Sequence, residues 1–339
     1  LGFAQFGQSI FALASASFVL KRVLPEFRAM RPRWSQALFL ELLRYGWKLQ
    51  SIYILVLLYE PVTKLLLAQF FGVIPVGLFE MTNRLVQQVR SLVLAPNNAL
   101  LPAFADLHGR SEARASALLS RAQGATNVFG TSILLSLLAV LPFLSELWIG
   151  HYDLNFVHYG VILCIAWLLN LYTAPPYYFG MAINFFRWII TGHVVVTVLN
   201  FALCLIAGVW FDATDLVFGT GIALVCGSFI WLAGNWRMSA YQLNYFLNAR
   251  TLTAWAIGAI SVTLSWTLYY NLRANIGLAP TLFLAVLGIA ALAVGLVLLV
   301  PEYRRVVHSF SRIALGIRHS HLQTAKTTPI SPPDNIEMQ

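Results

Sequence analysis

Charge is what this sequence has least of. Only 10% of its 339 residues are Asp, Glu, Lys or Arg, against 59% hydrophobic, whereas a soluble domain carries roughly a quarter charged residues. With a mean hydropathy of +0.72, the chain holds more apolar sequence than one soluble core can bury. Lipid accommodates it, because a helix needs roughly 20 apolar residues to cross the hydrocarbon of a bilayer. Alternation is missing too: residues 282–300 are continuously apolar, which excludes a transmembrane β-barrel. Cysteine is scarce. Cys164, Cys204 and Cys226 lie inside apolar runs with no CxxC spacing, so they read as small core residues, with no metal site or disulfide framework. There is no HExxH, P-loop or GxSxG element, hence no enzymatic constellation and no cofactor. Neither a charged n-region nor a small-residue cleavage site marks a signal peptide. The chain enters an apolar helix directly from Leu1, which reads as a fragment of a longer protein.

The fold class that remains is all-α, a polytopic transmembrane helix bundle. Apolar length and flanking residues predict about nine spans, at 2–20, 45–72, 76–105, 124–149, 157–175, 186–210, 217–236, 252–270 and 279–300. Basic residues recur in alternate connections: Lys21, Arg22, Arg28, Arg31, Arg33, Arg44 and Lys48, then Arg110, Arg114 and Arg121, then Arg187, Arg237, Arg250 and the tail. Glu146, Asp153, Asp212 and Asp215 lie in the intervening ones, with Arg273 their only clear cation. This places the basic side and the C-terminus in the cytoplasm. It also accounts for the net charge of +9 without a nucleic-acid partner, since no separate basic domain exists. Residues 34–47 and 111–123 are amphipathic and are expected to lie in the membrane interface as linker helices. Beyond residue 320 there is too little apolar content to pack, and disorder is expected.

Apart from charges at the very ends of the spans, five charged residues fall within them, all in the second and third: Glu60, Lys64, Glu80, Arg84 and Arg90. Charge at membrane depth is costly and usually faces a bundle interior or a wet cavity. At roughly 100° per residue, Glu80, Gln87, Gln88, Ser91 and Asn98 fall within about 60° of Arg84, with Asn83, Arg90 and Asn97 further round. The opposite arc is Leu78, Leu85, Val89, Leu92, Val93 and Leu100. One reading is the wall of a water-filled cavity with guanidinium groups available to phosphate. The other has Arg84 snorkelling to the outer interface while paired with Glu80 four residues back. Glu60 and Lys64, at i and i+4, form either a mutually neutralising pair or a gating pair. Pro61 between them removes a backbone donor and is expected to kink or weaken the helix. His193, Asn200, Asn170 and the "YTAPPYYFG" break are expected to serve interhelical hydrogen bonding. A lone His with no Glu or Cys at ligand spacing indicates no metal.

Residues 57–107 carry a resemblance. They combine an acidic residue in a helix (Glu60), a G-x-x-x-V-G hairpin (Gly72, Val76, Gly77), a Y-x-x-A-x-R pattern ending in Arg84, and P-x-F-A (Pro102 to Ala105). Phe79 and Thr82 stand where Tyr and Ala are usual. The pattern resembles the polysaccharide flippases, the O-antigen and capsule repeat-unit exporters of the multidrug/oligosaccharidyl-lipid/polysaccharide superfamily. The resemblance implies the second lobe of a two-lobed exporter fold. Residues 1–20 would be the last helix of a truncated first lobe, 21–44 a cytoplasmic linker, and 45–250 a six-helix lobe. Residues 251–300 would be two additional helices and 301–339 a basic tail. It further implies alternating access in the bacterial inner membrane and a polyprenyl-pyrophosphate-linked oligosaccharide as substrate. Membrane lipids, a polysaccharide polymerase and chain-length machinery would be partners. Arg84, Arg90, Glu80, Gln87, Gln88 and Asn83 would line the cavity, with Glu60, Lys64 and Pro61 as a gate. A cation-coupled drug antiporter shares the fold but favours acidic cavities. A membrane-embedded glycan polymerase needs a large outer loop, and a non-transporting scaffold needs no polar face in the third span.

Overall fold

The computed structural model describes residues 2–23, 35–236 and 249–299. Eleven helices account for nearly all of them: α1 (Gly2–Val23), α2 (Gln36–Phe71), α3 (Val73–Ala99), α4 (Leu101–Arg110), α5 (Glu112–Ile149), α6 (Leu154–Leu171), α7 (Ala174–Ala182), α8 (Phe186–Trp210), α9 (Ala213–Trp236), α10 (Ala249–Ile276) and α11 (Leu278–Leu299). The chain divides into two compact units, residues 1–50 and 51–339. The first holds α1 and the beginning of α2, and the second holds the rest of α2 and helices α3 to α11. Arg28, Arg31, Arg33, Arg237 and the 301–339 tail, with its expected disorder, lie outside the described residues.

The all-α bundle is as expected, and no strand occurs among the described residues. Six described helices are long and apolar enough to cross a membrane: α2, α5, α6, α8, α9 and α10. In α1 and α11 the qualifying apolar stretch is shorter. Although α3 is 27 residues long, its polar residues keep it off that count. Helix boundaries follow caps and prolines rather than hydropathy. The amphipathic segment 111–123 does not form a separate linker helix. It is continuous with the next span, because Ser111 caps α5 by accepting from the Arg114 N–H and Glu112 occupies the first turn. The helix then runs 38 residues, through Pro142, to Gly150, whose left-handed φ of 90° closes it. Residues 34–47 likewise run on into α2, which passes through Pro61 unbroken.

Two expected spans are instead split. Pro102 cannot donate to the preceding turn, so 76–105 breaks at Leu100 into α3 and α4. Pro175 and Pro176 break 157–175 and start the short α7. Asp153 caps α6 through the Phe156 N–H at 2.9 Å, and Ser145 holds the preceding turn by accepting from the Asp153 N–H at 2.8 Å. Asp212 does the same for α9, accepting from the Thr214 and Asp215 N–H groups.

The core is shared by α3, α5, α6 and α9, with Phe79, Val86, Leu134, Phe156, Tyr159, Leu163, Leu168 and Leu216 all nearly sealed from solvent. Lipid gives no hydrophobic drive for helix association, so close approach through small residues matters more. At the α8–α9 contact Gly192 and Gly227 meet back to back. A Cβ on Gly227 would lie 2.6 Å from the Gly192 carbonyl oxygen, and a Cβ on Gly192 2.8 Å from the Gly227 carbonyl. The outward side of α8 carries Val194, Val198, Phe201, Leu205 and Val209, as a lipid-facing surface should. Cys164 and Cys204 are buried as expected. Cys226 is not: it is exposed on the outward stripe of α9 with Ile222 and Phe229, where a small apolar group is as well tolerated by lipid as by a core.

Candidate functional site around α3

The polar residues of α3 do not share one broad face, as the helical projection suggested. They form two. On the outer stripe Arg84, Gln88, Ser91 and Asn98 are exposed and Glu80 is half-buried. On the inner stripe Asn83 and Asn97 are buried among Phe79, Val86 and Val93, with Gln87 and Arg90 partly covered at its margin. The helix must satisfy a packed bundle on one side while presenting polar groups on the other.

The outer stripe belongs to a chain of alternating charges. The Lys64 ammonium bridges Glu60 of its own helix and Glu80 of α3. Glu80 in turn accepts from Arg84 Nε at 2.6 Å. Two acids and two bases therefore neutralise one another across the α2–α3 contact. The Glu60–Lys64 pair expected from sequence is present, and so is the Arg84–Glu80 pair. The linkage through Lys64 to Glu80, which joins the two helices, is additional. The Arg84 side chain is 75% exposed, and Pro61 is exposed beside the chain.

Arg90 has a different environment. Its Nη1 donates to Gln87 Oε1 and its Nη2 to Asn170 Oδ1, each at 3.1 Å. The guanidinium carbon sits 4.1 Å from the centroid of the Trp167 ring, a cation–π geometry. Asn170 passes the connection on, donating to Ser228 Oγ at 2.8 Å. Arg90 thus joins α3 to α6 and α9. No carboxylate pairs with it among the described residues, and its buried Nε has no hydrogen-bond partner. Further along α3, Asn97 donates to Thr126 Oγ1 of α5 at 2.8 Å.

The remaining polar candidates serve interhelical bonding, as expected. Asn200 donates to the Tyr59 carbonyl at 3.1 Å and to Thr63 Oγ1 at 3.0 Å, and Thr63 is hydrogen-bonded to Thr220. His193 Nε2 is 3.3 Å from the Tyr177 hydroxyl. Sequence reasoning did not find the aromatic surroundings of Arg90. Trp167 lies on α6 one turn before Asn170 (i, i+3), which is the one local signal that both can meet the same partner. Tyr177 and Tyr178 were visible only as part of a helix break.

The site thus defines a multi-pass helical bundle in which one helix, α3, exposes polar side chains. Residues 2–151 match the polysaccharide biosynthesis protein family, the portion that contains the flippase-like pattern around Glu60 and Arg84. The fold is similar to that of a solved structure, the lipid II flippase MurJ in an inward closed conformation. The TM-score is 0.55 at 11% sequence identity, covering 82% of this chain and 58% of that one. The chain therefore spans little more than half the length of that flippase. No curated protein matches the sequence. The resemblance to the polysaccharide flippases is borne out by the family match and the shared fold.

Proposed function

We propose that the chain is the second-lobe portion of a transporter that flips polyprenyl-pyrophosphate-linked oligosaccharide across the bacterial inner membrane by alternating access, with its C-terminus in the cytoplasm. The observation that carries this reading is the contrast between two outward surfaces. Exposed residues of α8 from Val194 onward are apolar, while those in the middle of α3 include Arg84, Gln88 and Ser91 beside Leu92. A helix of that kind cannot face hydrocarbon, so its outer stripe lines water. Arg84 is positioned to attract an anionic headgroup from that side, and Arg90 supplies the cation that no local acid neutralises. Gln88 and Glu80 complete the wall with Gln87 at its margin, the buried Asn83 facing the bundle instead, and the Glu60–Lys64 pair with Pro61 forms the gate. The extruded oligosaccharide would pass to a polysaccharide polymerase and its chain-length machinery.

Cation-coupled drug antiport is disfavoured because Glu60 and Glu80 are both already held by Lys64, leaving no free carboxylate on this wall for a cationic drug. The deciding experiment restores the full-length gene and compares Arg84→Ala and Arg90→Ala with wild type at equal expression. Surface polysaccharide and accumulated lipid-linked precursor are both measured. Reduced export with precursor accumulation is expected for each variant. Normal export by both would sink the assignment of these arginines to the substrate path.

A further inference from the structure

Pro142 lies within the 38-residue α5, and a proline inside a helix has no N–H to offer the carbonyl four residues back. In α5 that carbonyl belongs to Leu138, and it is bonded from another helix. Trp266 of α10 donates its Nε1–H to the Leu138 carbonyl at 3.1 Å, and the adjacent Ser265 donates its hydroxyl to the Ala139 carbonyl at 2.6 Å. Leu138, Ala139 and Ser265 are buried, as is Pro142, and a buried carbonyl without a partner is costly. Pro96 of α3 offers a contrast. There the donor comes from the same helix, with Asn97 reaching the Val93 carbonyl at 3.0 Å.

The two sides of Pro142 are tied to different neighbours. On the N-terminal side Thr126 accepts from Asn97, so this part of α5 supports α3. On the C-terminal side Ser145 accepts from the Asp153 N–H just before α6, and Glu146 accepts from Tyr269 and Arg273 of α10. Helix α10 spans both sides. At Gly258 it approaches the first so closely that a Cβ there would lie 2.1 Å from Leu135 Cδ1. Prolines are where helices bend, and in membrane helices neighbouring side chains re-satisfy the groups they free. A bond supplied by another helix can open and close without unwinding α5, which a backbone bond cannot.

We infer that Ser265 and Trp266 are a latch over the gap that Pro142 leaves in α5. Docked, they hold α5 as the continuous helix observed here. Released, they let its last turns, residues 143–149, swing relative to the part that supports α3. They are positioning residues: neither belongs to the polar stripe, and both set the angle between α3 and the turn that joins α5 to α6. The inference rests on the flippase reading above for its purpose, and deepens it by naming an element that bends during transport.

The test places nitroxide labels on full-length protein in lipid nanodiscs, through Ile74→Cys at the start of α3 and Leu147→Cys at the end of α5. Both positions are exposed, and Cys226 and any other reactive cysteine are replaced. The distance between the labels is read by double electron–electron resonance. Each lost latch bond should shift the balance toward the bent form about fivefold. Trp266→Phe, which keeps a ring but lacks the N–H, and Ser265→Ala should each enlarge a second distance population by that factor. Pro142→Ala gives the Leu138 carbonyl an N–H from its own helix. Combined with Trp266→Phe it should restore a single population, a rescue that lost packing alone would not show. Pro142→Ala by itself should lower polysaccharide export at least about threefold at equal expression. Wild-type distances in both latch variants, or a change that persists alongside Pro142→Ala, overturn the latch. Normal export by Pro142→Ala overturns its part in transport. Failure of the wild-type full-length gene to support export overturns the flippase reading, whereas the distance measurements stand without it.

Discussion

The alternating chain Glu60–Lys64–Glu80–Arg84 makes a prediction whose sign is not obvious. Among the described residues, Lys64 alone touches both carboxylates and both helices. Removing it as Lys64→Gln leaves Glu80 with Arg84 at 2.6 Å but leaves Glu60 with no cation and with a second carboxylate near it. Exposed ion pairs contribute about 0–1 kcal/mol, and breaking a fully buried pair costs about 3–5 kcal/mol. The side chains of Lys64 and Glu80 are 29% exposed and that of Glu60 37%, so solvent screens them in part. The expected cost is about 1–2 kcal/mol, between those limits. Glu60→Gln is milder, since Lys64 still holds Glu80. The double variant Glu60→Gln/Lys64→Gln should be more stable than Lys64→Gln alone, because it removes the stranded carboxylate. Thermal unfolding of the purified protein in detergent, followed by tryptophan fluorescence, gives the ordering of the three variants. If Lys64→Gln melts with wild type, or the double variant melts below it, the bridging geometry is wrong.

The other predictions concern helix contacts and the arginine seat. Gly227→Val puts a Cβ 2.1 Å from Val196 Cγ2 and 2.6 Å from a backbone oxygen. It should therefore cost at least about 1–3 kcal/mol and lower the melting temperature, while Gly124→Ala, with open space around it, should not. Glu146 is buried and accepts from Tyr269 Oη at 2.5 Å and Arg273 Nε at 3.0 Å. Its replacement by Ala strands the donor of the buried Tyr269 at a cost of about 1–3 kcal/mol. Arg273→Ala, at a side chain 48% exposed, should cost less than about 1 kcal/mol, again measured by melting. Arg90→Lys keeps the charge but loses the two-pronged bond to Gln87 and Asn170 and the stack on Trp167. It should depress polysaccharide export about as strongly as Arg90→Ala, whereas rescue by Lys would mean that charge alone matters there.

Much of the fold was legible because its signals are local. Residues 186–210 match α8 as observed, flanked by Arg187 at one end and Asp212 just beyond the other. Continuity was harder to read than existence. The helix begun at the Ser111 cap runs past Pro142 and ends only at Gly150, so an expected interface segment and a span became one element. Pro102 and Pro175–Pro176 lie inside stretches apolar enough to look unbroken, and backbone chemistry decided there against hydropathy. The inner stripe of α3 also left a trace. Asn83, Arg90 and Asn97 recur every seven residues, in register with Phe79, Val86 and Val93, which is the spacing of a packed seam. An angular projection that starts from Arg84 blurs this, because helical position says nothing about which neighbours a polar group finds. The Arg90 partners Trp167 and Asn170 come from α6, about 80 residues on, and only tertiary packing brings them in.

That packing also fixes which way α3 faces. An isolated helix with these residues could turn about its axis to hide Arg84 and Gln88 among neighbours and offer leucine to the lipid. Here rotation is blocked at three heights. Lys64 holds Glu80 near the start of the helix, Asn170 and Trp167 hold Arg90 in the middle, and Thr126 holds Asn97 near its end. Turning the outer stripe inward would break all three contacts and strand buried polar groups, each at about 1–3 kcal/mol. The polar stripe is therefore held outward by the bonds of Arg90 and Asn97 on the opposite side of the same helix and by Glu80 on its own side. Since hydrocarbon cannot solvate it, water or another polar surface must come to it, and the inner polar residues act by keeping the outer ones in place.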